Sequence, residues 1–332
     1  MSTTSPNFHP EPIITVIDVT DKNAKDVGVE LFEQDLIKLD DAPMCAQRII
    51  FRLASLVLVY HSSNVRLRTC TNISPESIVY SVFGPYATGT VNGLPIRSGT
   101  ILAAAPESEA RLVVNNGWES VAFFIPRQEI MEHISIRQID CGLKKHEAIQ
   151  LLDIDPSKTE RLFELGKRLI HKAVAQPDLF KNKSSEQTFA KLEIIETLLN
   201  TIFPTNALTL PKDEQSRKKQ FAIVKATEQY ILEHAGADLY VTDLCKAADV
   251  SERTLEYAFK EIIGLTPIAY IKKIRLHLLH QSLLHANPET TTVSDEAQRW
   301  GFWHFSELSK AYKNYFHELP SETLSDHPQD KN

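Results

Sequence analysis

The sequence lacks the motifs that most enzymes, metalloproteins and membrane proteins carry. It contains no His-x-His, no His-Glu-x-x-His, no Gly-x-Ser-x-Gly and no Walker phosphate-binding motif. No apolar run approaches the roughly 20 residues that a membrane-spanning helix requires. These absences predict a protein that is not an enzyme, holds no metal or other cofactor, and has no membrane partner.

Cysteine and positive charge are also scarce. Cys45, Cys70, Cys141 and Cys245 lie far apart and form no Cys-x-x-Cys motif, which favours reduced thiols in a cytoplasmic protein. The formal net charge of −7 disfavours a strongly basic nucleic-acid binder, so any DNA binding has to rely on locally placed cations. The candidates are Arg253, Lys260, Lys272, Lys273, Lys310 and Lys313.

The last third of the chain contains one short pattern twice. Five residues of the first copy are matched at a constant offset of 53 positions in the second. They are Leu255, Ala258, Phe259, Lys260 and Pro267, matched by Leu308, Ala311, Tyr312, Lys313 and Pro320. A repeat with a fixed offset indicates two copies of one supersecondary unit.

Each copy reads as a helix, a tight turn and a second helix. In the first copy, Thr242 can cap a short helix, Asp249-Val250 turns, and Ser251 caps the next helix. The second helix of each copy combines an apolar stripe with a polar face at helical spacing. The stripes are Leu255, Ala258, Phe259, Ile262 and Ile263, and Leu308, Ala311, Tyr312, Tyr315 and Phe316. The polar faces are Arg253, Glu256, Tyr257 and Lys260, and Ser306, Ser309, Lys310 and Lys313.

Several motifs make this pattern specific. They are Ser251-x-Arg253-Thr-Leu255 with Phe259-Lys260, Gly264-Leu-Thr-Pro267, and Ile274-Arg-Leu276. Over residues 221–324 the chain resembles the DNA-binding domain of the AraC/XylS family of bacterial transcription regulators. Gln298-Arg-Trp-Gly-Phe-Trp-His304 followed by Pro320-Ser-Glu-Thr-Leu324 resembles the branch that contains the ethanolamine-utilisation operon regulator. The chain departs from the family at Asp249 and His317, where glycine is usual, and at Glu296, where a buried aliphatic residue is usual.

The resemblance implies specific roles for the polar residues. Base reading falls to Arg253, Glu256, Tyr257, Ser306, Ser309 and Lys310, and phosphate contacts fall to Ser251, Lys260, His304 and Lys313. Trp303 stays open between packing and DNA contact. The implied partners are double-stranded DNA at promoter sites, RNA polymerase, a second copy in a homodimer and a small-molecule effector, and the implied action is activation. A helical protein-interaction module that docks through the same polar faces is the alternative.

Pro267 to Leu284 reads as one continuous helix between the two copies. At about 1.5 Å per residue it spans roughly 25 Å. Such a spacer would hold the two reading helices near one DNA turn apart, roughly 34 Å. One chain could then enter two successive major grooves.

The region from about Pro43 to Pro126 reads as short strands at intervals of 8–12 residues, which favours a small barrel or sandwich. Ile13 to Val19 reads as an edge strand, and Asn92-Gly93 is a strong hairpin signal. Such a barrel can hold one small molecule. The candidate lining residues are Phe83, Tyr86, Trp118 and Phe123, although aromatic residues in strands are more often core.

The predicted fold is therefore α+β, with an N-terminal β-rich, cupin-like barrel or sandwich, flanking helices, and a C-terminal all-α domain of two helix-turn-helix units. Helices are predicted over Arg127–Ile134, Ser157–Gln176, Ser185–Phe203 and Phe221–His234. The predicted divisions are a flexible N-terminus (1–25), a sensing domain (26–140), a helical dimerisation or cover region (141–203), a linker (204–220), the DNA-binding domain (221–324) and a flexible tail (325–332).

Overall fold

A computed structural model describes residues 12–21, 32–136, 148–181, 184–203 and 212–325. Within these ranges the N-terminal part forms two antiparallel sheets with flanking helices, and the C-terminal part is helical, which confirms the predicted α+β fold. The predicted flexible termini lie largely outside these ranges. In the part of the chain that is described, no helix combines the length and the apolar character that crossing a bilayer requires.

Twelve strands and ten α-helices follow one another along the described ranges. The strands are β1 (Ile14–Val19), β2 (Phe32–Lys38), β3 (Ala46–Leu53), β4 (Leu56–Ser63), β5 (Leu67–Ile73), β6 (Ser77–Phe83), β7 (Gly89–Val91), β8 (Leu94–Pro95), β9 (Thr100–Ala104), β10 (Glu109–Val114), β11 (Trp118–Pro126) and β12 (Ile149–Asp153). The helices are α1 (Arg127–Ile136), α2 (Pro156–Ala175), α3 (Ser185–Ile202), α4 (Lys212–Glu233), α5 (Val241–Ala248), α6 (Glu252–Ile262), α7 (Pro267–His285), α8 (Val293–Arg299), α9 (Phe305–Phe316) and α10 (Pro320–Ser325). A 3-10 helix spans Pro177–Phe180.

The element boundaries confirm most predictions and correct two. The first three predicted helices end within two residues of α1, α2 and α3. The helix expected from Phe221 begins at Lys212, so part of the predicted linker is helical, while residues 204–211 lie outside the described ranges. Residues 149–153 were assigned to a helical region, but they form β12, which hydrogen-bonds to β9 at the edge of a sheet.

The two sheets have different sizes and different neighbours. The larger sheet has the order β1-β3-β4-β11-β6-β9-β12, and the smaller has the order β2-β5-β10-β7-β8. β1 lies at an edge, as predicted. Because successive side chains of a strand point to opposite faces, Ile49, Phe51 and Leu53 of β3 pack against the cluster formed with α2 and α3. The alternate positions of the larger sheet face the smaller sheet.

The outer face of the smaller sheet packs against the C-terminal helices. Ile37 next to the end of β2 and Val113 of β10 belong to the same buried cluster as Val224, Leu255 and Phe259 of α4 and α6. The molecule is therefore layered: helices α1 to α3, the larger sheet, the smaller sheet, and then the C-terminal helices. The smaller sheet has an inner face toward the larger sheet and an outer face toward those helices.

A buried carboxylate joins these last two layers. Glu228 of α4 is 2% exposed and accepts hydrogen bonds from Arg68 of β5, Arg111 of β10 and Tyr270 of α7. Arg68 also pairs with Asp35 of β2 at 2.7 Å. Burial, followed by the charge on Glu228, raises the pKa of Tyr270 well above its usual value, so the phenol stays a donor. Since a buried charge is stable only when it is paired and hydrogen-bonded, this cluster fixes α4 against the smaller sheet. We call Arg68, Arg111, Glu228 and Tyr270 the Glu228 cluster.

A second contact holds the far end of the C-terminal part. The Tyr315 hydroxyl of α9 donates to the Lys38 carbonyl oxygen at 2.6 Å, and Lys38 Nζ donates to the Tyr315 carbonyl oxygen at 2.5 Å. Lys38 Nζ also lies 2.6 Å from Asp21 Oδ1. Lys273 of α7 pairs with Asp41 at 2.8 Å. The smaller sheet and the loop after it thus contact both halves of the C-terminal part.

The β7–β8 hairpin adds a close steric contact. Asn92 and Gly93 have φ of 47° and 79°, the left-handed pair that a two-residue hairpin turn requires, so the predicted hairpin is confirmed. A Cβ at Gly93 would lie 2.7 Å from Phe221 Cβ and 3.1 Å from the Arg217 carbonyl oxygen, both on α4. Only glycine lets this turn approach the helix.

We expect Gly93→Ala to destabilise the protein more than Gly117→Ala. Gly117 has nearly the same φ, 76°, but nothing lies within 4 Å of a Cβ built there. Gly117→Ala should therefore lower the free energy of unfolding by about 1–2 kcal/mol, from left-handed strain alone. Gly93→Ala should cost about 1–3 kcal/mol more because α4 must move. Urea denaturation followed by circular dichroism measures both, and equal losses would show that the turn does not press on α4.

Glu228→Ala should lower the free energy of unfolding by about 3–5 kcal/mol, because it leaves two buried arginines without their shared carboxylate. Glu193→Ala is the matched control, since it breaks an exposed pair with Arg168 whose side chains are 50% and 64% accessible. An exposed pair of this kind contributes about 0–1 kcal/mol. The same denaturation experiment compares the two, and a loss at Glu228 no larger than at Glu193 would remove the Glu228 cluster as a stabilising contact.

Candidate nucleic-acid interface

The first helix-turn-helix unit consists of α5 and α6. α5 begins one residue earlier than predicted, at Val241, and the Asp243 carboxylate accepts from the Tyr240 amide at 3.1 Å, so Thr242 is not its cap. Ser251 does cap α6, as predicted: its hydroxyl oxygen accepts from the Thr254 amide at 3.3 Å. This capping bond positions the N-terminus of α6 at the surface.

The two unusual residues at the turns adopt the conformation that glycine usually supplies. Asp249 has φ 51° and ψ 50° after α5, and its amide donates to the Lys246 carbonyl oxygen at 3.2 Å. His317 has φ 63° after α9. Aspartate and histidine tolerate the left-handed region better than most residues with a Cβ. Both turns therefore close in the family's geometry without glycine.

The polar face of α6 is exposed along its whole length. Leu255, Ala258, Phe259, Ile262 and Ile263 are buried, which confirms the predicted apolar stripe. The opposite row consists of Arg253, Glu256, Tyr257 and Lys260, and all four are exposed. Within the described ranges, the polar contacts between the N-terminal sheets and the C-terminal helices given above use none of these four side chains. The row is open to a partner.

The second unit presents a similar row on α9. Ser306, Lys310 and Lys313 are exposed, and His304 is exposed at the N-cap position without a side-chain cap bond. Ser309 is half-buried, and its hydroxyl donates to the Phe305 carbonyl oxygen of its own helix at 2.9 Å. A hydroxyl that bonds its own backbone is less available to a base edge, so Ser309 is the weakest member of the predicted set.

Trp303 gains interest from its position in the structure. It is 61% exposed in the turn immediately before α9, beside the exposed His304. The sequence left Trp303 undecided between packing and DNA contact, because tryptophans in such turns are often buried. Its neighbours Trp300 and Phe302 do pack against the cluster formed by α7 and α9. The structure therefore places Trp303 at the surface with the α9 row.

Glu296 occupies a half-buried position of α8 where the family usually has an aliphatic residue. Its carboxylate accepts a hydrogen bond from the Ser282 hydroxyl of α7, and Arg299 lies 3.8 Å away. A buried carboxylate with such partners avoids most of the cost of desolvation. The second unit thus accommodates this departure by a polar contact between α8 and α7.

Helix α7 connects the two units as one uninterrupted rod of 19 residues, which confirms the prediction. Its length is about 28 Å at 1.5 Å per residue. Ile271 and Ile274 pack in the core of the first unit, whereas Leu279 and Leu283 pack in the core of the second. Because one helix belongs to both cores, the two reading helices cannot rotate independently.

Not every locally placed cation is available to DNA. Lys273 pairs with Asp41 and is half-buried, so it belongs to the contact with the N-terminal part. Arg253, Lys260, Lys272, Lys310 and Lys313 are exposed. The exposed cations give this surface the local positive charge that the net charge of the chain does not supply.

The predicted lining residues of the barrel separate into two pairs. Phe83 and Trp118 line a cavity between the two sheets, with their ring centroids 5.2 Å apart. Tyr86 is 85% exposed in the loop after β6, and Phe123 is buried on the opposite face of β11, among the residues that pack on α2. The prediction of an interior position is therefore wrong for Tyr86 and Phe123.

Known proteins match the C-terminal part of this chain. A family described as a helix-turn-helix domain matches residues 244–326. A probable thc operon regulatory protein of Rhodococcus erythropolis is 36% identical over 102 residues, which are 31% of this chain and 31% of that protein. The XylDLEGF operon transcriptional activator 2 of Pseudomonas putida is 30% identical over 99 residues, which are 30% of this chain and 63% of that protein. This chain thus spans less than two thirds of the length of either relative.

Among solved structures, a probable AraC family transcriptional regulator from Rhodopseudomonas palustris is 31% identical, with a TM-score of 0.30. The match covers 32% of this chain and 98% of that one. The assignment rests on the sequence matches and on the paired units described above, and the likeness to the ethanolamine branch stays a prediction. Through its C-terminal helix-turn-helix domain, the chain belongs to the AraC/XylS family of transcription regulators.

Proposed function

We propose that this protein is a sequence-specific DNA-binding transcription regulator that acts at promoter sites in the bacterial cytoplasm. The observation that carries the proposal is the pair of exposed polar rows on α6 and α9, fixed on the single rod α7. A helix-turn-helix protein reads DNA by placing such a row in the major groove. The name of the Pseudomonas putida relative, a transcriptional activator, supports activation with RNA polymerase as a partner.

The chemistry of each row supports a division of labour. Arg253 has the forked donors that match guanine O6 and N7, and Glu256 can accept from cytosine N4. Tyr257 offers a hydroxyl to a phosphate or a ring edge to a thymine methyl group. On α9, Ser306, Ser309 and Lys310 are the base-reading residues that we propose. Phosphate contacts, which position the protein but carry no sequence information, are proposed for Ser251, Lys260, His304 and Lys313.

We further propose that the N-terminal part regulates the DNA-binding part. The smaller sheet lines the interior cavity with one face and holds the Glu228 cluster with the other. An effector in the cavity would change the DNA-binding affinity only if it binds two arrangements of this sheet with different affinities. Exposed Phe189 and Leu192 on α3, 68% and 45% accessible, support a homodimer through the helical layer.

Chromatin immunoprecipitation with sequencing in the source bacterium tests the regulator proposal, and footprinting then defines the bound sites. We expect discrete sites upstream of promoters. A gel-shift with random DNA at low salt separates this function from the protein-interaction alternative. A chain that binds no DNA under those conditions would contradict the regulator and favour the alternative.

At such a site we expect Arg253→Ala to weaken binding by about 1–3 kcal/mol and to relax discrimination at one base pair. The reason is the loss of a bidentate contact with guanine. Arg168→Ala is the control, because it removes an exposed arginine from α2, on the far side of the N-terminal part. Fluorescence anisotropy with a set of single-base site variants measures both effects. Unchanged affinity and unchanged base preference would remove Arg253 from the reading row.

Lys260→Ala and Lys313→Ala should act differently from Arg253→Ala. Each should weaken binding by a similar factor at every site variant, and each should reduce the slope of log affinity against log salt by about 1. The physical reason is that a phosphate contact releases a condensed counterion whatever the sequence. Anisotropy titrations at several salt concentrations give the slope. A slope equal to that of the wild type would show that these lysines do not contact phosphate.

A further inference from the structure

The cavity between the two sheets has a volume of about 100 Å³. This is the same order as the ~150 Å³ cavity that takes up benzene in an engineered protein. Most of its lining consists of apolar side chains that point inward from both sheets. Examples are Val19, Leu36, Val59, Leu102, Val114 and Phe124. The space thus suits a small molecule with a compact apolar body.

One wall of this apolar space carries a buried positive charge. Arg48 of β3 is 0% exposed and lines the cavity. Its Nε donates to Nε2 of His61, its direct cross-strand neighbour on β4, at 2.6 Å. Burial lowers the pKa of Arg48 to about 9, so the guanidinium still carries its charge at neutral pH. Of the described side chains that line the cavity, Arg48 alone bears a full charge.

His61 has a fixed role beside this charge. Burial, and then the charge of Arg48, lowers the pKa of His61 well below its usual range. The imidazole is therefore neutral: Nε2 accepts from Arg48, and Nδ1 carries the proton. The hydroxyl groups of Thr69 and Ser81 also line the cavity. Arginine, a neutral imidazole and hydroxyls together form a donor-rich patch on an apolar wall.

We propose that this cavity binds a small monocarboxylate with an apolar body, and that Arg48 receives the carboxylate. The planar donors of a guanidinium match the two oxygens of a carboxylate better than any other common anionic group except phosphate. A phosphate would bring a second charge and little apolar surface into a cavity whose remaining wall is apolar. A protonated amine of similar size would meet the charge of Arg48 and be repelled, which disfavours an amino alcohol as the ligand.

The position of the cavity connects this ligand to the DNA-binding part. Thr69 of β5 and Leu112 of β10 line the cavity, while their chain neighbours Arg68 and Arg111 bind Glu228 on the opposite face. A regulatory role for the carboxylate rests on the proposed function, whereas its binding does not. The two ideas therefore need separate measurements.

Isothermal titration calorimetry on the full chain tests the binding. The ligands are butyrate, hexanoate and octanoate, together with the amide and the amine that match whichever acid binds most tightly. We expect one acid per chain, bound on the order of 10- to 100-fold more tightly than its amide, because a charge-assisted bond is lost. The amine should bind more weakly still. An amide or amine that binds as tightly as the acid overturns the proposal, and so does failure of all three acids to bind below about 10 mM.

Variants locate the site. Arg48→Gln should reduce the affinity for the acid by roughly 10-fold or more and leave the affinity for the amide within about 2-fold. Arg168→Gln removes an exposed arginine of α2 and should change neither. Ala104→Leu keeps Arg48 but fills the inner face of β9, so it should weaken acid and amide alike. An Arg48→Gln protein that folds and retains full affinity for the acid contradicts the assignment. If that variant does not fold, the comparison of acid with amide in the wild type decides alone.

The failures of the two proposals are distinguishable. DNA binding of the protein without added acid tests the reading rows, and calorimetry without DNA tests the cavity. A chain that binds DNA but no carboxylate overturns only the ligand. A chain that binds the carboxylate but no DNA overturns only the regulator.

Discussion

A single buried carboxylate sets the relation between the two parts of this molecule. Glu228 bonds to Arg68 and Arg111 from adjacent strands and to Tyr270 from the rod helix, so one residue ties together α4, α7, β5 and β10. Ion pairs of this kind add little net stability when compared with a well-packed apolar core, but removing one partner is costly. Their effect is therefore to specify one arrangement. No other position of α4 on the sheet gives Glu228 the same three donors.

The reading rows inherit their orientation from this arrangement. α4 packs against both α5 and α6, and α7 continues from the core of the first unit into the core of the second. The Tyr315 to Lys38 contact then holds the C-terminal end of α9 from behind. As a result, the N-terminal sheets cover the rear of both units while the polar rows remain exposed. The N-terminal part can influence DNA binding through position without blocking the surface that meets DNA.

Local patterns predicted the parts of the fold that local physics determines. The apolar stripe of α6, the rod α7 and the Asn92-Gly93 hairpin all follow from periodicity or turn chemistry within a short window. Arg68 and Glu228 are 160 positions apart, and no window contains both. Phe123 failed because alternation along β11 does not say which face is the interior, and both faces of the larger sheet are covered. Arg48 reads as a surface residue for a similar reason: only the second sheet turns its face into an interior.

The two faces of the smaller sheet give the molecule a physical route from ligand to DNA. In a strand the side chains at neighbouring positions share one backbone but point in opposite directions. A ligand that displaces Thr69 or Leu112 by moving the strand must also move Arg68 or Arg111, which hold Glu228. Protein interiors are closely packed, so the displacement is not absorbed by empty space on the outer face. The outer face meets α4 and Phe221 directly at Gly93, where no side chain cushions the contact. A shift of strand backbone therefore becomes a shift of α4, and α7 passes it from the first reading helix to the second.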